Sequence, residues 1–132
     1  KTLLGTDNRA VVLLDTAAGS AVTLPAATGS GKKYMFVVTT VTTSSGTQTI
    51  STAPTTDVFI GAVFGGRVDS GNAVLAFAAA SNSNKITLDH AAKGGVSKGE
   101  YLVVEDVAAG IWFVSGFLTA TGAAFATPFS NV

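Results

Sequence analysis

The run Lys85-Ile86-Thr87-Leu88-Asp89 alternates apolar and polar side chains, which places Ile86 and Leu88 on one face of a strand. A strand of this kind has one face in a core and the other in water. A second run, Tyr34-Met35-Phe36-Val37-Val38, is apolar at every position. It fits a strand covered on both faces, either within a sheet or beneath a partner chain. Together the two runs predict a protein built from β-sheets.

The remainder of the chain has the same texture, with short apolar or β-branched runs separated by turns rich in Gly, Ser and Asn. No long window keeps the three- and four-residue apolar spacing of a helix. The pattern predicts an all-β fold, namely a single-domain β-sandwich or a barrel-like, jelly-roll-type domain of many short antiparallel strands over residues 1–132. The predicted strands are Ala10–Leu14, Ala21–Leu24, Lys33–Thr42, Thr47–Ser51, Val58–Phe64, Ala73–Ala78, Lys85–Asp89, Tyr101–Glu105 and Ile111–Leu118.

Composition and charge limit the classes of function. Hydrophobic residues make up 47% of the chain and charged residues 12%, a balance that excludes a disordered chain. The formal net charge is zero, so no long-range field favours nucleic acid or an anionic membrane, and we expect neither as a partner. The longest apolar run, Ala73–Ala80, is far shorter than the roughly 20 residues that span a bilayer. The absence of cysteine removes disulfides and thiolate metal sites.

Two glycine-containing runs resemble catalytic or ligand-binding motifs. Gly95-Val96-Ser97-Lys98-Gly99 has the letters of a hydrolase nucleophile elbow, but a loop precedes the serine, a strand follows it, and the single histidine, His90, lies upstream. Gly29-Ser30-Gly31-Lys32 is similar to a phosphate-binding loop, but Ala26 stands where a glycine is required and Lys33 where a hydroxyl should hold magnesium. We therefore expect no enzyme, no cofactor and no metal site.

Two further features receive structural interpretations. Glu105-Asp106 is the one adjacent pair of carboxylates, and neighbours on a strand point to opposite faces, so the pair is unsuited to joint acid–base chemistry. Trp112 is the kind of residue on which sugars stack, yet it lies in an apolar run that favours the core.

The run Val22–Gly31, followed by Tyr34–Val38, resembles accessory structural proteins of tailed bacteriophages, especially capsid decoration proteins. Further blocks continue the resemblance in order through the second half of the chain. These are Gly94–Tyr101, Glu105-Asp106, Gly110–Gly116 and Thr127–Ser130. The succession of the blocks carries the resemblance, because each one alone is rich in small residues and turns.

This resemblance implies a non-enzymatic viral structural protein with a β-sandwich or barrel-like fold. Such a protein binds the outer surface of an assembled phage capsid, commonly as a homotrimer, and stabilises the shell by cementing neighbouring subunits of the major capsid protein. The implied partners are therefore the major capsid protein and further copies of the chain. The implied location is the outer capsid surface of the virion, after synthesis in the host cytoplasm.

Within this hypothesis, the predicted trimer interface lies on the two most apolar strands, at Tyr34, Phe36, Val38, Trp112, Val114 and Phe117. The predicted capsid contact lies at the ends of the chain, in an N-terminal arm over residues 1–10 and a C-terminal tail over residues 127–132 that order on binding. Its candidate residues are Leu3, Leu4, Arg9, Pro128 and Phe129.

Two other functions fit the same β texture. One is a domain of a phage tail fibre or another virion adhesin, which would bind a bacterial surface. The other is a carbohydrate-binding module, which requires Trp112 or Tyr101 to be exposed in a groove.

Overall fold

A computed structural model of the chain describes residues 1–69, 73–121 and 125–132. A 3₁₀ turn at Gly5–Asp7 precedes a succession of strands. The strands in these residues are Val11–Leu14 (β1), Gly19–Thr23 (β2), Lys33–Val38 (β3), Thr47–Ser51 (β4), Val58–Arg67 (β5), Val74–Ala78 (β6), Lys85–Leu88 (β7), Tyr101–Ala108 (β8), Ile111–Ala120 (β9) and Phe129–Ser130 (β10).

The strands form two sheets, one of six strands in the order β1-β3-β8-β9-β5-β6 and one of four in the order β10-β7-β4-β2. The predicted all-β sandwich is confirmed, and across the described residues neither sheet closes into a barrel. The sheets are mixed and not purely antiparallel, because β1 and β3, β2 and β4, and β5 and β9 pair in parallel. Parallel partners need a crossover connection, which the alternation of residues within a strand does not report.

The core lies between the sheets, and the alternation of each strand decides which side chains enter it. Ile86 and Leu88 of β7 are buried, as predicted, and they belong to one buried cluster with residues of the six-stranded sheet. The Tyr34 and Trp112 rings lie 5.8 Å apart within that cluster. Burial of such large apolar side chains contributes about 1.5–3 kcal/mol each to folding.

The first ten residues pack against the sandwich instead of forming an arm. The Leu3 N–H donates to the Thr23 carbonyl at 2.8 Å, and the Leu3 side chain is buried. The Tyr34 hydroxyl donates to the Leu4 carbonyl at 3.2 Å. The predicted N-terminal arm is therefore corrected: Leu3 is a core residue, because an aliphatic side chain gains more from the core than from water.

The C-terminal segment is also corrected, from a tail to an edge strand. Phe129 and Ser130 form β10, which pairs antiparallel with β7. Pro128 and Phe129 are buried, and the Val132 N–H donates to the Asn84 side chain at 2.8 Å. A strand of two residues is too short to show alternation, so the sequence pattern does not reveal it.

Candidate interaction surface

Five of the six residues predicted to form a trimer interface lie in the core. Tyr34, Phe36, Val38, Trp112 and Val114 are at most 2% exposed, so none of them can contact another copy of the folded chain. Phe117 alone is on the surface, with 38% of its area exposed. In a strand that is apolar on both faces, the pattern does not say which face turns inward. Strands β3 and β9 carry apolar side chains on both faces, as the sequence predicts. The side chains that reach the surface are those that alternate with the buried ones, such as Met35 and Phe113.

These alternate residues lie on one side of the six-stranded sheet, which we call the outer face. Its side chains align in rows across neighbouring strands. One row runs through Leu13, Val37, Tyr101, Phe117, Phe64 and Ala76, and the next through Val11, Met35, Val103, Ser115, Ala62 and Ala78. Phe113 and Ile60 extend a third row beside them. The outer face is therefore an apolar surface that continues across all six strands.

The outer face is well exposed. Leu13 at one side is 55% exposed, and Phe64 near the other side is 53% exposed. Monomeric soluble proteins seldom present contiguous apolar patches of more than a few hundred Å² unless something binds there. The exposed apolar side chains of β3 and β9 thus lie on the strands of the predicted trimer interface, but apart from Phe117 they are not the predicted residues.

Charged residues border the outer face at the corner where β1 and β3 begin. Lys33 and Glu105 form an ion pair at 2.9 Å, and with Arg9, Val11 and Met35 they line a groove of about 440 Å³. Arg9 is exposed and has a backbone φ of 62°, a left-handed conformation that is uncommon for a residue other than glycine. An apolar centre with a charged rim is the usual arrangement of a protein interface.

Of the residues predicted to contact a capsid, two are on the surface. Leu4 is 61% exposed and follows the buried Leu3, while Arg9 lines the groove. Pro128 and Phe129 lie on the other sheet and are buried, which removes them as contacts of the folded chain.

The loop that is similar to a phosphate site binds a carboxylate of the protein itself. Asp106 points inward from β8 and accepts hydrogen bonds from the backbone N–H groups of Thr28, Gly29 and Ser30 at 2.6–3.1 Å. The Ser30 hydroxyl adds a bond at 2.6 Å and the Thr28 hydroxyl one at 3.2 Å. Consecutive N–H groups in a turn form an anion-binding concavity, and here Asp106 fills it.

The hydrogen bonds control the ionisation of Asp106. Burial acts to raise the pKa of this carboxyl group, but the bonds from the Ser30 hydroxyl and from the loop N–H groups outweigh burial and lower the pKa from 3.8 to about 2. Glu105, its neighbour, points to the outer face, as the alternation predicts.

In Gly95–Gly99, the run with the letters of a nucleophile elbow, the loop N–H groups also bind a carboxylate of the protein itself. The buried Glu100 carboxylate accepts hydrogen bonds from the N–H groups of Gly95, Val96 and Ser97 at 2.6–2.8 Å and from the Thr119 hydroxyl at 2.6 Å. A nucleophile elbow aims its N–H groups at a substrate oxyanion, whereas these N–H groups already bind Glu100. The sequence pattern did not reveal that Glu100 and Asp106 support these two loops; the available signal was a turn of small residues together with an acidic residue at or near a strand.

Trp112 has no exposed surface, which removes the stacking platform that a sugar-binding role would require of it. Tyr101 is partly exposed and lies in a row of the outer face, between Val37 and Phe117.

The described residues contain neither a candidate metal-binding cluster nor a candidate transmembrane helix. In the residues the structure covers, no three His, Asp or Glu side chains are grouped so as to hold a metal ion. Within the same residues, no helix has the length and apolar character needed to cross a membrane.

Comparisons of the chain with protein-family models, with curated proteins and with solved structures found no match.

Proposed function

We propose that this chain is a non-enzymatic capsid decoration protein, which binds the outer surface of an assembled phage capsid and cements neighbouring major capsid protein subunits. The observation that carries the proposal is the apolar outer face, which continues across six strands and is bordered by charge at one corner. A protein with such a surface acts by binding another surface. The resemblance described above supplies the identity of the partner.

The outer face supplies the contact between copies in this proposal. Met35, Phe113 and Phe117 expose 36–38% of their area there, on the strands that the sequence singled out. If a fully exposed large apolar side chain presents roughly 150–250 Å², the outer face offers on the order of 700 Å². A stable interface buries roughly 800 Å² per partner, so the apolar area of the outer face is comparable to that of one such interface.

Arg9 at the charged corner and the exposed Leu4 supply the contact with the shell in this proposal. Leu4 offers an exposed aliphatic group and Arg9 a guanidinium, which suits a carboxylate on the capsid protein. Each contact of this size is weak, but copies joined in a trimer bind several sites at once and gain affinity through effective concentration.

Stabilisation of the shell then follows from linkage. A protein that binds the assembled shell and not its dissociated subunits lowers the free energy of the assembled state by an amount that grows with its free concentration. No bond is made or broken, so the proposal needs no catalytic group.

The first test is the solution mass of the purified chain by light scattering at several concentrations. A stable mass near three times 13.2 kDa is expected, and a strict monomer at every concentration would count against the trimer. The second test is sedimentation with purified shells of the virus whose genome encodes the chain. Saturable binding and a higher temperature of shell rupture are expected; an absence of binding at tens of micromolar would overturn the proposal.

A matched pair of variants locates the shell contact. Arg9→Glu reverses the charge at the corner and is expected to lower occupancy of the shell, while Arg9→Lys retains most of it. Lys85→Glu provides the control, because it makes the same charge change on the other sheet, at β7. Equal loss of occupancy for Arg9→Glu and Lys85→Glu would show that net charge, and not this corner, governs binding.

A further inference from the structure

Strand β6 is an edge of the six-stranded sheet that no other described strand covers. It pairs with β5 on one side and is the last strand of the sheet order on the other. Its sequence, Val74-Leu75-Ala76-Phe77-Ala78, contains no charged residue and no proline. Val74 is 61% exposed and Leu75, on the opposite face of the strand, is 45% exposed. Proteins usually protect edge strands with charges, prolines or covering loops, because an open apolar edge pairs with other chains.

The neighbouring hydrogen bonds show which residues of β6 direct their backbone N–H and carbonyl groups toward the open edge. The Val58 N–H donates to the Gly110 carbonyl, and the Val68 N–H donates to the Ala120 carbonyl. The backbone groups of even-numbered residues of β5 therefore bond to β9, and those of odd-numbered residues point toward β6. Ala79 accordingly donates to the Gly61 carbonyl at 3.0 Å. Leu75 and Phe77 therefore bond to β5, and the backbone groups of the three alternate residues point to the open edge. These residues are Val74, Ala76 and Ala78.

We propose that this edge binds β6 of a second copy of the chain, antiparallel, with Ala76 opposite the partner's Ala76. In this register, Val74 lies opposite the partner's Ala78, and Leu75 lies opposite the partner's Phe77 on the other face. Three pairs of residues then exchange six N–H to carbonyl hydrogen bonds across the twofold axis. The inference goes beyond the proposed function, since it concerns the edge of the sheet and not its outer face.

The occupant is a second copy because the strand complements itself. The larger Val74 meets the small Ala78, the two small Ala76 side chains meet on the axis, and no charge opposes its own image across the axis. The pairing also continues the outer face, because the row that ends at Phe64 and Ala76 meets the same row of the partner. Val74 and Leu75, which are exposed in the single chain, both lose contact with water in the pair.

The pairing is expected to be weak in dilute solution. One strand of five residues buries much less than the roughly 800 Å² per partner of a stable dimer. It forms when copies are concentrated or held side by side on a common surface, where the effective concentration is high. A covalent trap therefore measures it better than the solution mass does.

The absence of native cysteine makes disulfide trapping unambiguous. Directly opposed residues in an antiparallel hydrogen-bonded pair have Cα atoms about 5.5 Å apart, within the range for a disulfide. Ala76→Cys and the double variant Val74→Cys/Ala78→Cys are each expected to give a covalent dimer under mild oxidation at several hundred micromolar protein. The single variants Val74→Cys and Ala78→Cys are the controls, because four residues of strand, roughly 13 Å, separate each from its own copy.

A charge exchange tests the register without altering the trap. In the Ala76→Cys background, Val74→Lys/Ala78→Lys places like charges opposite each other and is expected to lower the rate of dimer formation at least tenfold. Val74→Lys/Ala78→Glu places opposite charges there and is expected to retain dimer formation, more strongly at low salt. Circular dichroism and the thermal midpoint of each variant establish that it folds.

Three results would overturn the proposal. The first is a failure of both Ala76→Cys and Val74→Cys/Ala78→Cys to form dimers. The second is equally fast dimer formation by Val74→Cys alone, which would indicate parallel or random contact. The third is equal rates for the Lys/Lys and Lys/Glu variants in the trapping background.

Discussion

Thr28 donates its backbone N–H to both carboxylate oxygens of Asp106, at 3.0 and 3.1 Å, although 78 residues separate the two in the chain. Gly29 and Ser30 donate to the same carboxylate, so one strand residue fixes the whole turn that leads into β3. Because β3 carries part of the outer face, Asp106 is a structural residue that supports this face from within.

Replacement of Asp106 by Asn is expected to lower the free energy of unfolding by about 2–3 kcal/mol. The amide offers one acceptor oxygen where the carboxylate offers two, and its NH₂ group meets backbone N–H donors. For a chain of this size the thermal midpoint should fall by on the order of 10 °C.

Glu105→Gln is the matched control for this variant. It makes the same chemical change at the neighbouring residue, but Glu105 faces the outer surface and pairs with Lys33 in partial contact with water. Such a pair contributes less than about 1 kcal/mol. Equal losses of stability in urea for the two variants would contradict the role assigned to Asp106.

Acid should destabilise the protein through the same residue. The pKa of Asp106 is about 2 in the folded chain and 3.8 as an ordinary carboxyl, so the folded state keeps its charge at a pH where the unfolded state takes up a proton. A lowered folded pKa contributes stability that is present above the unfolded pKa and is lost as the pH falls from about 4 to 2. The loss from this one group is about 2 kcal/mol.

Urea midpoints at pH 6, 4, 3 and 2 for the native chain and for Asp106→Asn measure this contribution, since other carboxyl groups titrate in both proteins. The difference between the two proteins is expected to shrink between pH 4 and 2. A difference that is constant over this range would show that Asp106 has an ordinary pKa in the folded state.

Glu100 and Ser97 allow a test of the loop that has the letters of a nucleophile elbow. Glu100→Gln is expected to cost about 2–3 kcal/mol and to speed hydrogen exchange at the N–H groups of Gly95, Val96 and Ser97, which bond to the carboxylate. Ser97→Ala keeps the backbone N–H and should change stability by less than about 0.5 kcal/mol. A larger loss for Ser97→Ala than for Glu100→Gln would assign the serine hydroxyl a role of its own.

The fold class could be predicted from the sequence because it depends on local patterns. Ile86 and Leu88 alternate with polar residues, and this alternation alone places them in the core. In Tyr34–Val38 both faces are apolar, so the same rule predicts a strand but not its orientation. The choice depends on the twist and pairing of the whole sheet, and for that reason five of the six predicted trimer residues belong to the buried set.

The carboxylates could not be predicted as loop supports, because their partners are distant in the chain. Nothing near Asp106 in the sequence identifies Thr28 as its donor, and Glu100 reaches Thr119 across a strand pair. Parallel pairs such as β5 with β9 are hard to predict for the same reason, since the paired residues Val58 and Ile111 are 53 positions apart in the sequence. Such contacts form because the assembled sheets bring these residues together.

Phe117→Asp tests the outer face as the contact between copies. Phe117 lies in the middle of a row between Tyr101 and Phe64, so a carboxylate there is surrounded by apolar side chains and is unpaired when a second copy covers it. The mass by light scattering is expected to fall from trimer to monomer, with little change in the thermal midpoint of the monomer. Ala21→Asp adds the same charge at an exposed site on β2 of the other sheet and should leave the mass unchanged. If the Phe117→Asp chain keeps the mass of a trimer, the contact between copies lies elsewhere than on the outer face.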